Sequence, residues 1–343
     1  MLVGGATGFI GDPKASGERN MLTKEVLEHN YQSLSKQIEE LFGFEMVNNL
    51  DWTKDISVID FLRDYGKYFN VSYMINKETV KRRLDAGISY TEFSYMILQA
   101  LDFLHLYEDK GCTCVGGRIS GDITSGLELI RKKHGAEVEC YGLTMPLITK
   151  ADGTKFGKSE SGTVWLDKKK TSAYEMYQFL VNSEDEKVID YLKKLTFLSK
   201  EEIDALEEKV KTEPHFREAQ KTLAKEVVTF LHGEEEYNKA LKITNALFKG
   251  NIKDLDAGEL HDALKGFEAA KIDDALTLTD TLVQAGIASS KREAREWINQ
   301  GSIQVNGDKV KDVEFIVSSA NAISEGRTLI KKGKRNYFVI SQK

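Results

Sequence analysis

Apolar and polar positions follow three regimes along this chain. Between Met1 and about Asp167, short β-rich runs alternate with amphipathic stretches. Leu2 and Val3 run into Gly4-Gly5 like a strand end entering a glycine turn. Residues 56–65 and 90–107 carry apolar side chains at helical spacing, and 139–148 are β-rich before the Ala151-Asp152-Gly153 turn. Alternating strands and helices predict an α/β layer with a parallel sheet. From about Ser172 to Phe267 the period is helical throughout. Ser199 with Glu202 three residues on is a helix-start signature, and Pro214 and Gly250 punctuate the run. Residues 269–276 read as a short linker. Beyond it the pattern predicts a helix over 279–285 ended by Gly286, and a second from Ser289-Ser290 to Gly301. A strand over 302–305 then enters the Asn306-Gly307 hairpin turn. The domain division expected from this is 1–167, 168–268 and 277–343.

Composition narrows the class. With 343 residues, 41% hydrophobic and 30% charged, the chain suits a globular protein of two or three domains. No run approaches the ~20 apolar residues that span a bilayer, and the first residues lack the pattern of a secretory signal. A cytoplasmic location without membrane attachment is expected. Cys112, Cys114 and Cys140 are too few for a disulfide framework and lack zinc-finger spacing, so they read as reduced thiols, and no metal site is expected. The net charge of −6 is uneven. From Ala275 to Lys343 there are 11 Lys and Arg against 7 Asp and Glu, a basic end on an acidic body, which directs attention to a local RNA site.

Four motifs carry candidate chemistry. Lys155-Phe-Gly157-Lys158-Ser159 follows a turn, and two lysines around a glycine suit a mobile clamp for phosphate; alone, the motif is weak and reads better as a surface lysine loop. Tyr95, Gln99 and Asp102 stand at i, i+4 and i+7, on one face of an otherwise apolar helix. Burying a phenol, an amide and a carboxylate together costs free energy unless they find partners, either in an internal network or on a ligand with a polar tip and an ammonium. Gly4-Gly-Ala-Thr7-Gly-Phe-Ile-Gly-Asp12 is a glycine-rich segment that fits a phosphate loop or a plain turn. Lys291, Arg292 and Arg295 on one helix, with Lys331, Lys332, Lys334 and Arg335, form a basic face suited to phosphate contacts or to solvation.

Taken together and in this order, these segments resemble bacterial tyrosyl-tRNA synthetases. The resemblance rests on GGATGFIGDP, TEFSYMILQALDF, GLTMPLITKADGTKFGKSESGTVWLD, LTFLSKEEI, LAKEVVTFLHGEE and SKREAREWINQGSIQVNG, and it covers nearly the whole chain. It implies a class I fold: an incomplete Rossmann-type parallel sheet, an α-helical anticodon-recognition domain and a small α+β RNA-binding module. It implies a homodimer that joins tyrosine to tRNA(Tyr) with ATP and Mg²⁺. Lys155 and Lys158 would meet the pyrophosphate, with Gly157 and Ser159 in the same ATP loop. Thr7, Asp12, Tyr95 and Gln99 would hold the α-amino end of tyrosine, and Asp102 would accept a hydrogen bond from its phenol. Lys291, Arg292 and Arg295 would contact RNA, and Lys14 and Arg19 would belong to a second mobile loop.

The sequence departs from that family in places. Members begin before this Met1, and none of the six histidines is followed by Ile-Gly, as the family's ATP motif requires. Gly117-Arg118-Ile119-Ser120-Gly-Asp122 stands where the family has Gly-Ser-Asp-Gln-Trp-Gly-Asn. Codons TCG GAT CAG TGG G read one base later give Arg-Ile-Ser-Gly, so a pair of compensating frameshifts would account for the difference, which resequencing tests. Leu101 stands where the family can have tyrosine. These departures lead to the expectation that the chain as written is impaired, with a non-catalytic RNA-binding remnant as the alternative.

Overall fold

The computed structural model describes residues 1–11, 22–117, 120–159, 162–248, 252–265, 267, 269–273, 275–324, 326–333 and 336–342. The chain divides into two compact units, Met1–Leu147 and Ile148–Lys343.

The first unit runs β1 (Leu2–Val3), α1 (Gly5–Ile10), α2 (Lys24–Phe42), β2 (Val47–Asn48), α3 (Leu50–Thr53), α4 (Val58–Asp60), α5 (Val71–Ile75), α6 (Glu78–Lys81), α7 (Tyr90–Lys110), β3 (Cys114–Gly117), α8 (Ser120–His134) and β4 (Tyr141–Thr144). Its strands form two parallel pairs. Leu2 lies opposite Val47, and Cys114 opposite Tyr141. Each pair is joined through helices, as parallel neighbours require. The central element is α7. The Ser89 side chain accepts from Glu92 N to start it, and Gly111, at φ 65°, ends it. Leu98, Ala100, Leu101, Phe103 and Leu104 enter a core with Val115, Ile123, Leu129 and Ile130 from β3 and α8. Leu101, only 3% exposed, is a member of that core. The two helices pack so closely that a Cβ at Gly126 would lie 1.9 Å from Phe103 Cδ2. The start of α7 is tied down by a buried ion pair in which the two terminal guanidinium nitrogens of Arg83 donate to Glu92, at 3.1 and 3.0 Å. Over 56–65 the helical spacing becomes α4 followed by a π-helical turn over Phe61–Tyr65. Val58, Ile59 and Val71 stay exposed, at 73%, 67% and 58%.

The second unit opens with β5 (Lys158–Ser159) and β6 (Gly162–Thr163), an antiparallel pair. Six helices follow: α9 (Ala173–Val181), α10 (Asp185–Leu195), α11 (Lys200–Thr212), α12 (Glu218–His232), α13 (Glu234–Phe248) and α14 (Ala257–Lys265). The Ser199 signature closes as a capping box: Glu202 N donates to Ser199 Oγ, and Ser199 N to Glu202 Oε2. The remaining elements are β7 (Ala269–Ile272), β8 (Leu276–Thr277), α15 (Leu278–Gln284), α16 (Lys291–Asn299), β9 (Ile303–Val305), β10 (Asp308–Lys309), β11 (Ile316–Val317), β12 (Arg327–Lys332) and β13 (Asn336–Gln342). Asn306 and Gly307, both at positive φ, turn β9 into β10 as their sequence predicts.

One sequence expectation is corrected here. Residues 269–276 are not a linker: β7 is the edge strand of a five-stranded sheet ordered β10-β9-β12-β13-β7, and it pairs parallel with β13. Four residues whose partners lie far along the chain leave no periodic signal. The sheet also joins two cores. Leu329 and Val339 pack with the helical residues Leu223, Ile243 and Leu264. Their neighbours Ile330 and Ile340 face the other way, onto Leu278, Leu282, Ala294 and Ile298 of α15 and α16. Alternation with period two places β12 and β13 between two helical layers.

Candidate active site

In the first unit the polar residues of α7 meet the glycine-rich segment through a side chain that sequence reasoning did not select. Asn49, at the end of β2, is fully buried. Its Oδ1 accepts from Ala6 N at 2.7 Å, which fixes the orientation of the amide. Its Nδ2 then donates to Thr7 Oγ1 at 3.2 Å and to Asp102 Oδ2 at 2.9 Å. The second Asp102 oxygen accepts from Trp52 Nε1 at 3.1 Å, and the Trp52 ring stacks on His105 at 4.2 Å between centroids. The close approach of the segments depends on Gly5, where a Cβ would lie 2.1 Å from Asn48 Oδ1. Thr7 and Asp102, expected in one site, are thus joined in one hydrogen-bonded network.

Asp102 is 2% exposed. Burial raises its pKa to about 6, and the hydrogen bonds from Asn49 and Trp52 hold it lower than burial alone would. Among the described residues each carboxylate oxygen has one protein donor, with further lone-pair capacity. Tyr95 and Gln99 are half-buried on the same helix. Gln99 Oε1 is buried without a hydrogen-bond partner among the described residues. A buried, unpaired amide oxygen costs roughly 1–3 kcal/mol and asks for a donor. Asp12, Lys14, Arg19, Arg118 and Ile119 lie outside the described residues.

Asn49 and Trp52 were missed because one lies between a two-residue strand and a four-residue helix and the other within that helix, elements too short to show a period. The available signal was chemical: an Asn pair at a strand end, followed by a tryptophan whose N–H needs a partner when buried.

In the second unit, Lys155 is exposed and bridged across a narrow hairpin to Thr149. Gly157 adopts φ 89°, a backbone state that favours glycine. Lys158 and Ser159 begin the β5–β6 pair. Of the basic residues in the C-terminal segment, Lys291 is paired with Asp280 at 2.6 Å. Arg292 and Arg295 are exposed on α16. The wider basic face is smaller than the sequence suggests. Lys331 turns inward to donate to Leu247 O at 3.2 Å and lies over the Tyr337 ring, while Lys332 caps the Trp297 ring at 3.0 Å. Flat aromatic faces beside long lysine stems draw both ammonium groups off the solvent. Lys334 and Arg335 lie outside the described residues.

Among the described residues, no group of three or more His, Cys, Asp or Glu side chains is arranged to hold a metal ion. The three cysteines are free thiols. No helix among these residues is long and apolar enough to cross a membrane.

Residues 1–249 match the family described as tRNA synthetases class I (W and Y), and residues 259–340 match the Tyrosine--tRNA ligase SYY-like C-terminal domain. The chain is 50% identical to a tyrosine–tRNA ligase of Listeria monocytogenes serotype 4a (strain HCC23), over all of this chain and 84% of that protein. It is 49% identical to one from Staphylococcus carnosus (strain TM300), with the same coverage. The fold is similar to that of a C-terminally truncated mitochondrial tyrosyl-tRNA synthetase of Aspergillus nidulans, with TM-score 0.60 and 30% identity. That likeness covers 72% of this chain and 76% of the other.

Proposed function

The chain belongs to the class I tyrosyl-tRNA synthetases, and from that premise we propose how its own side chains serve tyrosine–tRNA ligation. In this reaction the carboxylate of tyrosine attacks the α-phosphate of ATP, forming tyrosyl-adenylate and releasing pyrophosphate. The terminal ribose of tRNA(Tyr) then takes the tyrosyl group. Such chemistry depends on positioning and on stabilising charge as it moves. The expected impairment and the alternative of an RNA-binding remnant find no support in the comparisons, which align the whole chain with ligases.

The observation that carries the assignment is the buried Asp102 carboxylate, held by Asn49 and Trp52. A phenol reaching it donates a charge-assisted hydrogen bond, and phenylalanine leaves that acceptor unpaired. Gln99 Oε1 supplies an acceptor for the substrate's ammonium, with Thr7, Tyr95 and Asp12 completing the amino end. Lys155 and Lys158, on a loop freed by Gly157 and continued by Ser159, place positive charge for the departing pyrophosphate. The described residues build no cage for Mg²⁺, which customarily travels on the phosphates of ATP.

Arg292 and Arg295 on α16 offer cations to tRNA phosphates, while Lys291 must first leave Asp280. The exposed apolar side chains Val58, Ile59, Val71 and Tyr73 support a homodimer. A domain division into catalytic (1–167), anticodon-recognition (168–268) and RNA-binding (277–343) parts and a cytoplasmic location complete the reading.

Tyrosine-dependent ATP–pyrophosphate exchange tests it. The chain is expected to exchange, and Lys158→Ala to lose roughly 10²–10³-fold in kcat. A chain that exchanges no faster than Lys158→Ala would overturn the reading.

A further inference from the structure

The loop bearing Lys155 and Lys158 is held at its base by a seat built on the helices of the second unit. Residues 148–156 form a narrow hairpin. Thr149 bridges Lys155, Phe156 N donates to Ile148 O at 3.1 Å, and Lys150 N to Thr154 O at 2.8 Å. The turn closes on itself, Thr154 N donating to Asp152 Oδ1 at 2.8 Å. Two hydrogen bonds tie the first strand and the turn of this hairpin to the helices. Tyr191, on α10, donates its hydroxyl to Thr149 O at 3.0 Å. Ala151 N donates to Glu184 Oε2 at 2.9 Å, from the residue that precedes α10. On the second strand, the Phe156 ring lies 4.4 Å from Tyr191 and 5.1 Å from Phe179 between centroids.

We propose that Tyr191 and Glu184 are positioning residues that hold the Lys155–Ser159 loop for its contact with pyrophosphate, an inference that rests on the reading of that loop given above. One bond falls on Thr149, in the strand opposite Lys155, and the other on Ala151 at the turn, so the backbone position of Lys155 follows from where Thr149 is held. Tyr191 is 1% exposed, and burial, with the nearby carboxylates of Glu184, Asp190 and Asp152, pushes its pKa up to about 12. Its hydroxyl therefore remains a donor throughout the range in which the enzyme works, and a carbonyl can only accept from it. A cavity of about 1000 Å³, lined by Lys150, Phe156, Thr163 and Val164 of the loop and by Tyr191 and Glu184 of the helices, leaves the loop room to shift once the two bonds are lost. The consequence is a mechanical link: movement of α10 reaches the lysines without passing through substrate.

The test combines hydrogen exchange over residues 149–157 with ATP–pyrophosphate exchange on the full chain. Tyr191→Phe, which removes one oxygen from a filled site, and Glu184→Ala are expected to speed amide exchange in this segment ~10-fold. Both should lower kcat ~10-fold with the KM for tyrosine unchanged. Glu184→Gln keeps an acceptor oxygen and is expected to behave like the parent. Lys158→Ala is expected to lose kcat while its amide exchange stays at the parent rate, separating the seat from the chemistry. Parent-like amide exchange in Tyr191→Phe and Glu184→Ala would overturn the proposal, and so would faster exchange with unchanged kcat. If the parent itself shows no pyrophosphate exchange, the ligase reading fails, and the hydrogen-exchange comparison alone decides whether the two side chains hold the loop.

Discussion

Asp102 gathers most of the site's physics into one residue. Its pKa of about 6 in the folded chain stands above the ordinary aspartate value of 3.8 that the unfolded chain should show. The folded state therefore keeps a proton that the unfolded state has released between about pH 4 and 6. The stability tied to that proton is complete below about pH 4 and is lost as pH rises through about 6. Two pK units correspond to ~3 kcal/mol. Asp102→Asn is expected to flatten this dependence in urea unfolding from pH 4 to 7. The same change is expected to raise the KM for tyrosine and weaken discrimination against phenylalanine ~10–100-fold, the worth of a charge-assisted hydrogen bond. A KM for tyrosine that does not move would remove Asp102 from the site. Asp102 was legible because a carboxylate on an apolar helix demands an explanation, whereas Thr7 was named only through the family resemblance. Their joint partner Asn49 was not legible, since its three contacts lie far off in sequence and no periodic element carries it, leaving the chemistry of the Asn pair as the one local signal.

Among the elements, α7 depends on a pair that lies outside its own apolar pattern. The Arg83 and Glu92 side chains are 7% and 3% exposed. Arg83→Met strands a buried carboxylate and is expected to cost ~3–5 kcal/mol in urea unfolding of the first unit. The double change with Glu92→Leu should recover most of that loss, because a matched apolar pair replaces the charges. A single change that costs under ~1 kcal/mol would mean water reaches Glu92. The elements legible in the sequence were those with a period or a cap: α7, the capping box at Ser199, and the sequence from α15 through the Asn306-Gly307 turn. β7 was illegible because it is short and its partner strand is supplied by residues 339–342. The inward turn of Lys331 was equally hidden, since a run of basic residues looks alike whether or not an aromatic ring lies beneath it.

At the scale of the second unit, β12 and β13 serve two cores at once. Leu329, 3% exposed, belongs to the core of the helices although it sits on the sheet. Leu329→Ala is expected to cost ~2–5 kcal/mol. It should also speed hydrogen exchange in α9 and α12 together with β12, because the helices and the sheet share that contact. Exchange faster in the sheet alone would show that the two parts open independently. The same arrangement sets an order in time. The helices α9 to α13 follow one another and can meet as soon as each has formed. β7 has to wait for β13, and residues 269 and 339 must find one another across the whole intervening stretch. Closing a long loop before any contact repays it is slow. The parallel pairing of β7 with β13 is therefore expected to be the late step of assembly, whereas β12 and β13 meet through a short turn. Until it closes, the outer edge of β13 is an unpaired strand edge, and the newly made chain is expected to carry that edge open to any other extended segment.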